Sequence, residues 1–480
     1  STTHDPTPWE LSTDEKHFTT GEGKRGKLDQ DQCHAVALAA GGGVIVVSGG
    51  PGTGKTSVIV NMLRTMARRK GGDVTFALAA PTGKAAFRMC TAVTRALPKK
   101  LAPHERAIPD QIVPYTLHRL LEYSPRRDRF KKSATDPLRY DLVIVDEASM
   151  VELALMDHLM DALSPTSTLV LVGDADQLPS VGGGAILRDL VRAGSAGHPH
   201  LKIALLRTNH RSFKSISDAA RLVVQGDAFT LMLEAITPLT SLSGDPQGVF
   251  HVPLLNPGDL VSFLEQWQTG EHSPVHLWEL ARTPWNLETP LQEHRDHLDT
   301  LFAHLDSSAI LCATNELDRG TGELNRWFAL RHPGRNGGSL RDLLPGEPVI
   351  VTRNDYRHNL FNGDMGVVIE TQNGDQTERE ALFRKGEGFI HLPLSRLGTG
   401  LKRAYAITVH KSQGSEYKRV VFIPPPEDHP VMTRELLYTA ITRARECFIF
   451  LGPEQLLVAA VKRTAHRKTL LEEQLSHMGN

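Results

Sequence analysis

Short apolar runs alternate with helical stretches from about residue 44 onward. The runs are VIVVSGG, VTFALAAPT, DLVIVDEAS and STLVLVGDADQ, and a helix is predicted from about Thr56. Continuous apolar strands that alternate with helices indicate a parallel sheet covered on both faces. A second apolar run, SAILCAT at 308–314, opens a similar pattern after the weakly patterned stretch 225–300. The chain is therefore predicted to be α/β with two parallel sheets.

Two segments interrupt the alternation and are predicted to be insertions. The first, at about 122–140, carries the densest basic cluster of the chain and is predicted to be an exposed hairpin or a solvated loop. The second, at 348–401, has strand-like pieces separated by NGD, NGD and GEG, which is the turn chemistry of a small β-barrel. The basic residues of the first insertion are Arg126, Arg127, Arg129, Lys131 and Lys132.

These patterns give the expected domain limits. Residues 1–27 are polar and contain prolines, so they are an exposed lead-in or the remnant of an N-terminal domain. The first α/β domain is expected at 28–205. The second is expected at 206–347 together with 402–480, on both sides of the insertion at 348–401.

Composition narrows the class of protein. The chain has 480 residues, of which 40% are hydrophobic and 23% charged, and these ordinary values exclude wholesale disorder and collagen-like repeats. With 54 basic against 55 acidic residues, no global positive field attracts nucleic acid, so any contact with a polyanion is local.

The four cysteines lie far apart without a CxxC pair, which argues against a zinc site and a disulfide framework. No apolar stretch reaches the roughly 18 residues that span a bilayer. The first residues lack the basic start and apolar core of a signal peptide. A cytoplasmic protein without membrane contact is predicted. The cysteines are Cys33, Cys90, Cys312 and Cys447.

The strongest chemical signal is GGPGTGKT at 49–56, directly after an apolar strand and before a helix. Glycines there let backbone N–H groups turn toward phosphate oxygens at the positive N-terminus of the helix. Lys55 is placed against the β and γ phosphates, and Thr56 is placed to hold Mg²⁺. The sequence therefore predicts a nucleoside triphosphate bound by Gly50, Gly52, Thr53, Gly54, Lys55, Thr56 and Ser57.

Polar residues that follow other strands complete a hydrolytic set. Asp146 in VIVDEAS is placed toward Mg²⁺, and Glu147 is placed to take a proton from an attacking water. Gln177 in GDADQ is predicted to contact the γ phosphate, with an ordinary loop residue as the alternative. Arg211 and Arg443 are candidates to neutralise transition-state charge, although each taken alone is also compatible with a surface ion pair.

The ordered series GGPGTGKT, LAAPTGKAA, TLHRLL, VIVDEAS, GDADQLPSV, HRS, TVHKSQGSEY and ELLYTAITRAR resembles superfamily 1 DNA helicases. PTGKAA, VHKSQGSE and the TRELLYTAITRAR block most resemble the RecD family, over about residues 28–455. The resemblance implies two RecA-like P-loop domains, ATP and Mg²⁺ as cofactors, and 5′ to 3′ movement on single-stranded DNA. It also implies that the segment at 348–401 is an SH3-like domain that covers the DNA strand, with a plain stabilising module as the alternative.

The same resemblance implies further site residues. Gln32 matches the glutamine that reads the adenine edge, and Glu416 matches a residue near the nucleotide ribose. A set of hydroxyl, imidazole and ammonium groups is implied to lie along the single-stranded DNA, where it would bind phosphates without reading bases. For His118 and His410, an ordinary structural role is the alternative. The set is Thr82, His118, His410, Lys411 and Ser412.

The resemblance implies work on duplex DNA ends with RecB and RecC, and no nuclease site is found in the chain itself. Two departures bear on this. His210 stands where relatives often have a tyrosine before the motif arginine, and only 48 residues precede Gly49, where RecD proteins usually carry a longer N-terminal domain. Two alternatives therefore stay open: a free-standing RecD-like or Dda-like helicase, and a P-loop nucleotide-binding subunit without motor output.

Overall fold

The chain forms two compact units in a computed structural model, one up to residue 210 and one over residues 213–465. The residues described are Leu11 and 17–19, 25–180, 184–198, 201–210, 213–239, 242, 244, 246–256, 258–270, 274–282, 285–286, 291–335, 337–355, 357–373, 376–386 and 388–465.

The strands of the first unit are β1 (His17–Thr19), β2 (Arg25–Lys27), β3 (Val44–Gly49), β4 (Phe76–Ala80), β5 (Pro114–Thr116), β6 (Leu142–Val145), β7 (Thr168–Gly173) and β8 (Lys202–Leu206). β1 and β2 form an antiparallel pair. The other six form one sheet in the order β5-β4-β6-β7-β3-β8, in which every pairing is parallel. The predicted first parallel sheet is confirmed.

Helices cover both faces of this sheet. Ile45 and Val47 of β3 belong to one buried cluster with residues of the first three helices, whereas Val46 belongs to the cluster on the opposite face. This alternation is the period-2 geometry of a strand buried on both sides. The helices are α1 (Gln30–Ala40), α2 (Lys55–Arg69), α3 (Gly83–Ala96), α4 (Ile108–Gln111), α5 (Leu117–Leu120), α6 (Leu153–Asp161) and α7 (Ile186–Ser195), with 3₁₀ turns at Pro103–Glu105 and Ala148–Met150.

The basic segment at 122–140 is not one regular hairpin. It contains two small turns, closed by isolated antiparallel bridges at Ser124–Arg129 and Ser133–Asp136. The rings of Tyr123 and Phe130 lie 5.0 Å apart, and the ring of Phe130 lies 4.5 Å from that of His158 on α6. An aromatic cluster therefore anchors the segment to the unit, while most of its basic side chains are exposed.

The second unit contains twelve strands among its described residues. They are β9 (Thr237–Pro238), β10 (Gly248–Val252), β11 (Trp285–Asn286), β12 (Ser308–Cys312), β13 (Pro348–Val351), β14 (Met365–Asn373), β15 (Gln376–Lys385), β16 (Gly388–Pro393), β17 (Leu401–Arg403), β18 (Ala406–Thr408), β19 (Tyr417–Ile423) and β20 (Ala444–Leu451). The order β18-β12-β19-β20-β10-β9 forms a second all-parallel sheet, which confirms the pattern expected from residue 308.

The helices of the second unit are α8 (Lys214–Gln225), α9 (Ala228–Thr230), α10 (Asp259–Thr269), α11 (Pro274–Leu280), α12 (Arg295–Leu305), α13 (Thr321–Leu330), α14 (Leu394–Leu397), α15 (Arg434–Ile441) and α16 (Glu454–Lys462). A π turn spans Leu231–Ala235, and 3₁₀ turns span Leu291–His294, Gly398–Gly400 and His410–Ser412.

The segment at 348–401 is an antiparallel sheet in the order β16-β15-β14-β13-β17, here called the insertion sheet. Among the described residues its two edge strands are not paired with one another, so the closed barrel stays a prediction. β11 pairs with β14, and Leu298, Leu301 and Phe302 of α12 share a buried cluster with Val367 and other residues of the sheet. Elements from about residue 274 to 305 therefore supply part of the core of this insertion.

Candidate nucleotide and DNA sites

The phosphate loop connects β3 to α2, as predicted. Gly52 and Gly54 have φ values of 80° and 79°, a left-handed conformation that side chains other than glycine rarely adopt. At Gly54 a Cβ atom would also lie 2.4 Å from Nε2 of Gln32. The backbone conformation of the loop thus favours glycine at both positions, a side chain at Gly54 would displace the amide of Gln32, and the first N–H groups of α2 form an anion site.

The ammonium group of Lys55 lies inside this loop. Its Nζ donates to the backbone oxygens of Gly49 at 2.7 Å and Gly50 at 3.0 Å. Neutral carbonyl groups are weaker partners for an ammonium than phosphate oxygens are. The hydroxyl of Thr53 also donates to the Gly50 oxygen, at 2.8 Å, and Thr56 lies half-buried in the first turn of α2. These groups fit a bound nucleoside triphosphate.

Gln32 is tied to the phosphate loop from the first turn of α1. Its Nε2 donates to the Thr53 oxygen at 3.0 Å, and its Oε1 accepts from the backbone N–H of Asp29 at 3.1 Å. Asp29 caps α1 and also pairs with the ring of His210 at 3.1 Å. The backbone N–H of His210 donates to the Gly52 oxygen at 2.9 Å. Asp29 and His210 therefore surround the loop together with Gln32, a role that their sequence positions alone did not reveal.

Asp146 and Glu147 directly follow β6. The backbone N–H of Glu147 donates to Oδ1 of Asp146 at 2.9 Å, and Glu147 has a φ of 53°. Burial, followed by the charge of Glu147, raises the pKa of Asp146 to about 6, against the opposing effect of Lys55. Asp146 is therefore close enough to Lys55 for their charges to interact, which places the two predicted residues in one site.

Gln177 follows β7 and is buried at 5% exposure. Its Nε2 donates to Oδ2 of Asp174 at 2.9 Å, while its Oε1 is buried without a hydrogen-bond partner among the described residues. An orphaned buried acceptor is costly unless a ligand satisfies it. Asp174, at 2% exposure, was not predicted, although the polar run GDADQ was its signal.

Thr82 and His118 follow β4 and β5, whose ends are paired in register at Ala80 and Thr116. Thr82 caps α3 by accepting from Ala85 at 3.2 Å, and His118 is exposed beside the ring of Tyr123. The carboxyl edge of the first sheet is therefore divided. The nucleotide residues follow β6, β7 and β3, and the predicted DNA residues follow β4 and β5.

Arg443 and Glu416 lie in the second unit, directly before β20 and β19. Arg443 is 3% exposed and donates to the backbone oxygens of Ser415 at 3.0 Å and Thr439 at 3.2 Å. Glu416 pairs with the exposed Arg445 at 3.1 Å. In this conformation the guanidinium group of Arg443 therefore stabilises its own unit. Neither of its predicted roles, a surface ion pair or the neutralisation of transition-state charge, includes these bonds. The predicted Arg211 lies outside the described residues.

The predicted DNA residues of the second unit follow the carboxyl end of β18. Lys411 is half-buried, and burial with the nearby charge of Lys402 lowers its pKa. Ser412 is fully buried, and its hydroxyl donates to the backbone oxygen of Val409 at 2.7 Å. The hydroxyl of Ser412 is therefore committed to the turn and not presented to a DNA strand. His410 lies beside it and is half-buried.

In the part of the chain that the structure describes, no three metal-ligating side chains cluster together. No helix among these residues is long and apolar enough to cross a bilayer. The cytoplasmic location stays a prediction.

Comparison with known families and proteins identifies relatives over nearly the whole chain. Residues 32–183 match an AAA domain and residues 403–450 match a UvrD-like helicase C-terminal domain. The RecBCD enzyme subunit RecD of Mycobacterium tuberculosis is 35% identical over 457 residues, covering 94% of this chain and 73% of that protein. The same subunit of Mycolicibacterium smegmatis is 35% identical over 462 residues, covering 94% and 76%.

A third relative is the ATP-dependent RecD2 DNA helicase of Deinococcus radiodurans, 30% identical over 458 residues, covering 94% of this chain and 53% of that protein. The matches to the two mycobacterial proteins each cover 94% of this chain. With these relatives and the phosphate-loop geometry together, the chain belongs to the RecD family of ATP-dependent DNA helicases.

Proposed function

We propose that the chain is the RecD subunit of a RecBCD-type enzyme, moving 5′ to 3′ on single-stranded DNA from broken duplex ends beside RecB and RecC. The observation that carries the proposal is the divided carboxyl edge of the first sheet, which bears nucleotide residues on one half and Thr82 and His118 on the other. The names of the mycobacterial relatives support the partners.

In this proposal ATP binds at the phosphate loop with Lys55 against its β and γ phosphates. Thr56 and Asp146 would hold Mg²⁺, which neutralises charge on those phosphates when bound. Glu147 takes a proton from the water that attacks the γ phosphorus, and the bond to the β-γ bridging oxygen breaks to give ADP and phosphate. The unpartnered Oε1 of Gln177 accepts a hydrogen bond from that water.

The family resemblance also gives proposed roles to residues of the second unit. Arg443, with Arg211, neutralises the transferred phosphoryl group, and Glu416 lies near the ribose. His410 and Lys411 bind DNA phosphates, and the buried Ser412 holds their turn in shape. The segment from β18 to β19 links these roles, because His410 follows one strand and Glu416 precedes the other. Alternating affinity for DNA during hydrolysis would give directed movement.

The test is the ATPase rate with and without single-stranded DNA for the wild type, Lys55→Ala and Glu147→Gln. The control is Glu152→Gln, the same chemical change at an exposed position close to Glu147. We expect DNA stimulation in the wild type and the control, and its loss in both site variants. Hydrolysis that ignores DNA, alone and with RecB and RecC, would instead indicate a nucleotide-binding subunit without motor output.

A free-standing helicase is the second candidate, and the RecD2 relative favours it. The two differ in what the chain does alone. A free-standing enzyme unwinds a 5′-tailed duplex without partners, whereas a RecD subunit copurifies with RecB and RecC and unwinds in their company. The proposed direction fails if 3′-tailed substrates are preferred.

A further inference from the structure

Glu347 is a fully buried carboxylate between two arginines. Its Oε1 accepts from Nη2 of Arg335 at 3.1 Å and from Nε of Arg403 at 2.9 Å, and its Oε2 accepts from the backbone N–H of Leu344 at 3.0 Å. The side chains of Arg335 and Arg403 are only 4% and 15% exposed. We call these three residues the neck triad.

The triad joins the two ends of the insertion sheet. Glu347 directly precedes β13, where the chain enters the sheet, and Arg403 ends β17, where the chain leaves it. Both arginines also donate to the backbone oxygen of Asp342, in the loop before β13. Entry strand, exit strand and preceding loop are therefore held to one carboxylate.

The chain runs from this neck into the predicted DNA turn without a long loop. β17 ends at Arg403, and β18, which begins at Ala406, leads into the turn His410–Ser412. Between them, the N–H of Ala404 donates to the Pro348 oxygen at 2.8 Å, and the hydroxyl of Tyr405 accepts from Trp278 at 2.9 Å. Both residues that connect β17 to β18, Ala404 and Tyr405, are thus hydrogen-bonded to other segments of the second unit.

Stability alone gives no reason for buried charges here, because well-packed apolar residues often replace a buried ion triad without loss. Arginine forks, however, fix direction as well as distance. We propose that Glu347 is a positioning residue for DNA unwinding, which, with Arg335 and Arg403, holds the insertion sheet in one orientation on β18. A DNA strand bound by the turn then moves together with the insertion. This inference rests on the proposed DNA role of His410 and Lys411.

The test compares Glu347→Gln with Glu105→Gln. Glu105 is a matched control, since it is 1% exposed, pairs with Arg64 at 3.0 Å and Arg68 at 3.3 Å, and belongs to the first unit, whereas the insertion belongs to the second. Both variants are assayed in the form in which the wild type unwinds DNA, either alone or together with RecB and RecC. We expect base pairs opened per ATP to fall about tenfold in Glu347→Gln with DNA-stimulated ATPase changed less than about threefold, because misplacement affects coupling before chemistry.

The control is expected to lose thermal stability with normal coupling. Unchanged coupling in Glu347→Gln, or equal loss in the control, overturns the inference. If Glu347→Gln does not fold, the triple variant Arg335→Met, Glu347→Leu, Arg403→Met keeps an apolar packed neck, and the same loss of coupling is expected from it. A wild type without DNA-stimulated ATPase would instead overturn the proposed function.

Discussion

The side-chain amide of Gln32 donates a hydrogen bond of 3.0 Å to the backbone oxygen of Thr53. The bond crosses from the first turn of α1 to the phosphate loop. With the capping box between Gln32 and Asp29, it makes the start of α1 part of the nucleotide site. Gln32, which the family resemblance proposes as the reader of the base, is in this conformation a support for the residues of the phosphate loop.

Replacing Gln32 with alanine is expected to raise KM for ATP by about fivefold, as the loss of the buried hydrogen bond to Thr53, about 1 kcal/mol, implies. Steady-state kinetics measures this, with kcat expected to change less. The control is Gln111→Ala, because Gln111 bonds Phe76 and Val74 in the same unit at a distance in sequence from the loop. An equal KM increase in the control would contradict this role.

Glu147 holds a left-handed backbone, which costs a non-glycine residue about 1 kcal/mol. Glu147→Gly is therefore expected to abolish hydrolysis while leaving the free energy of unfolding unchanged or raised by up to about 1 kcal/mol. Glu122, with the same φ of 53°, supplies the control: Glu122→Gly should keep full ATPase activity. Denaturant unfolding and ATPase assays are measured for both variants. A lower free energy of unfolding for Glu147→Gly than for the wild type would contradict backbone strain at Glu147.

The pKa of Asp146, raised to about 6, gives a pH-dependent stability in protein without Mg²⁺. The folded state binds this proton more tightly than the unfolded chain, so the wild type loses stability as pH rises from about 4 to 6. Asp146→Asn has no carboxyl group to titrate. Its free energy of unfolding at pH 8 is therefore expected to exceed that of the wild type by about 1–3 kcal/mol. Thermal unfolding at pH 4 and pH 8 measures it. A variant equally stable with the wild type at pH 8 would contradict it.

Arg443 donates from all three guanidinium nitrogens within its own unit. Arg443→Ala is therefore expected to lower the free energy of unfolding by about 1–3 kcal/mol in addition to slowing hydrolysis. Arg445→Ala, at a side chain 58% exposed, should cost less than about 1 kcal/mol. If Arg443→Ala slows hydrolysis with no change in unfolding, the residue acts on the nucleotide alone.

The two parallel sheets and the phosphate loop were predictable because their signals are local. An apolar run followed by glycines and Lys55 determines strand, turn and helix within a few residues. The addition of α11, β11 and α12 to the insertion core was not predictable, since it depends on apolar contacts between Phe302 and residues distant in sequence. Domain limits drawn from turn signals cannot reveal such contacts.

The positions of the site residues could likewise be predicted from local motifs, whereas their hydrogen bonds could not. Sequence motifs placed Asp146 and Gln177 after their strands, and the structure has them there. The commitment of the Ser412 hydroxyl to a backbone oxygen depends on the folded turn, and that of Arg443 depends on carbonyl groups from two segments. A motif gives the residue type at a position but not the number of its donors already in use.

β4 and β6 are neighbouring strands of the first sheet, so a single backbone ladder, about 4.8 Å wide, separates the half of the edge that bears Thr82 from the half that bears Asp146. The loops on either half are separate stretches of chain on a common support. Substitutions in the loop that bears Thr82 therefore need not change the loop that bears Asp146. During evolution, the proposed preference for a polynucleotide can change while the use of ATP is retained.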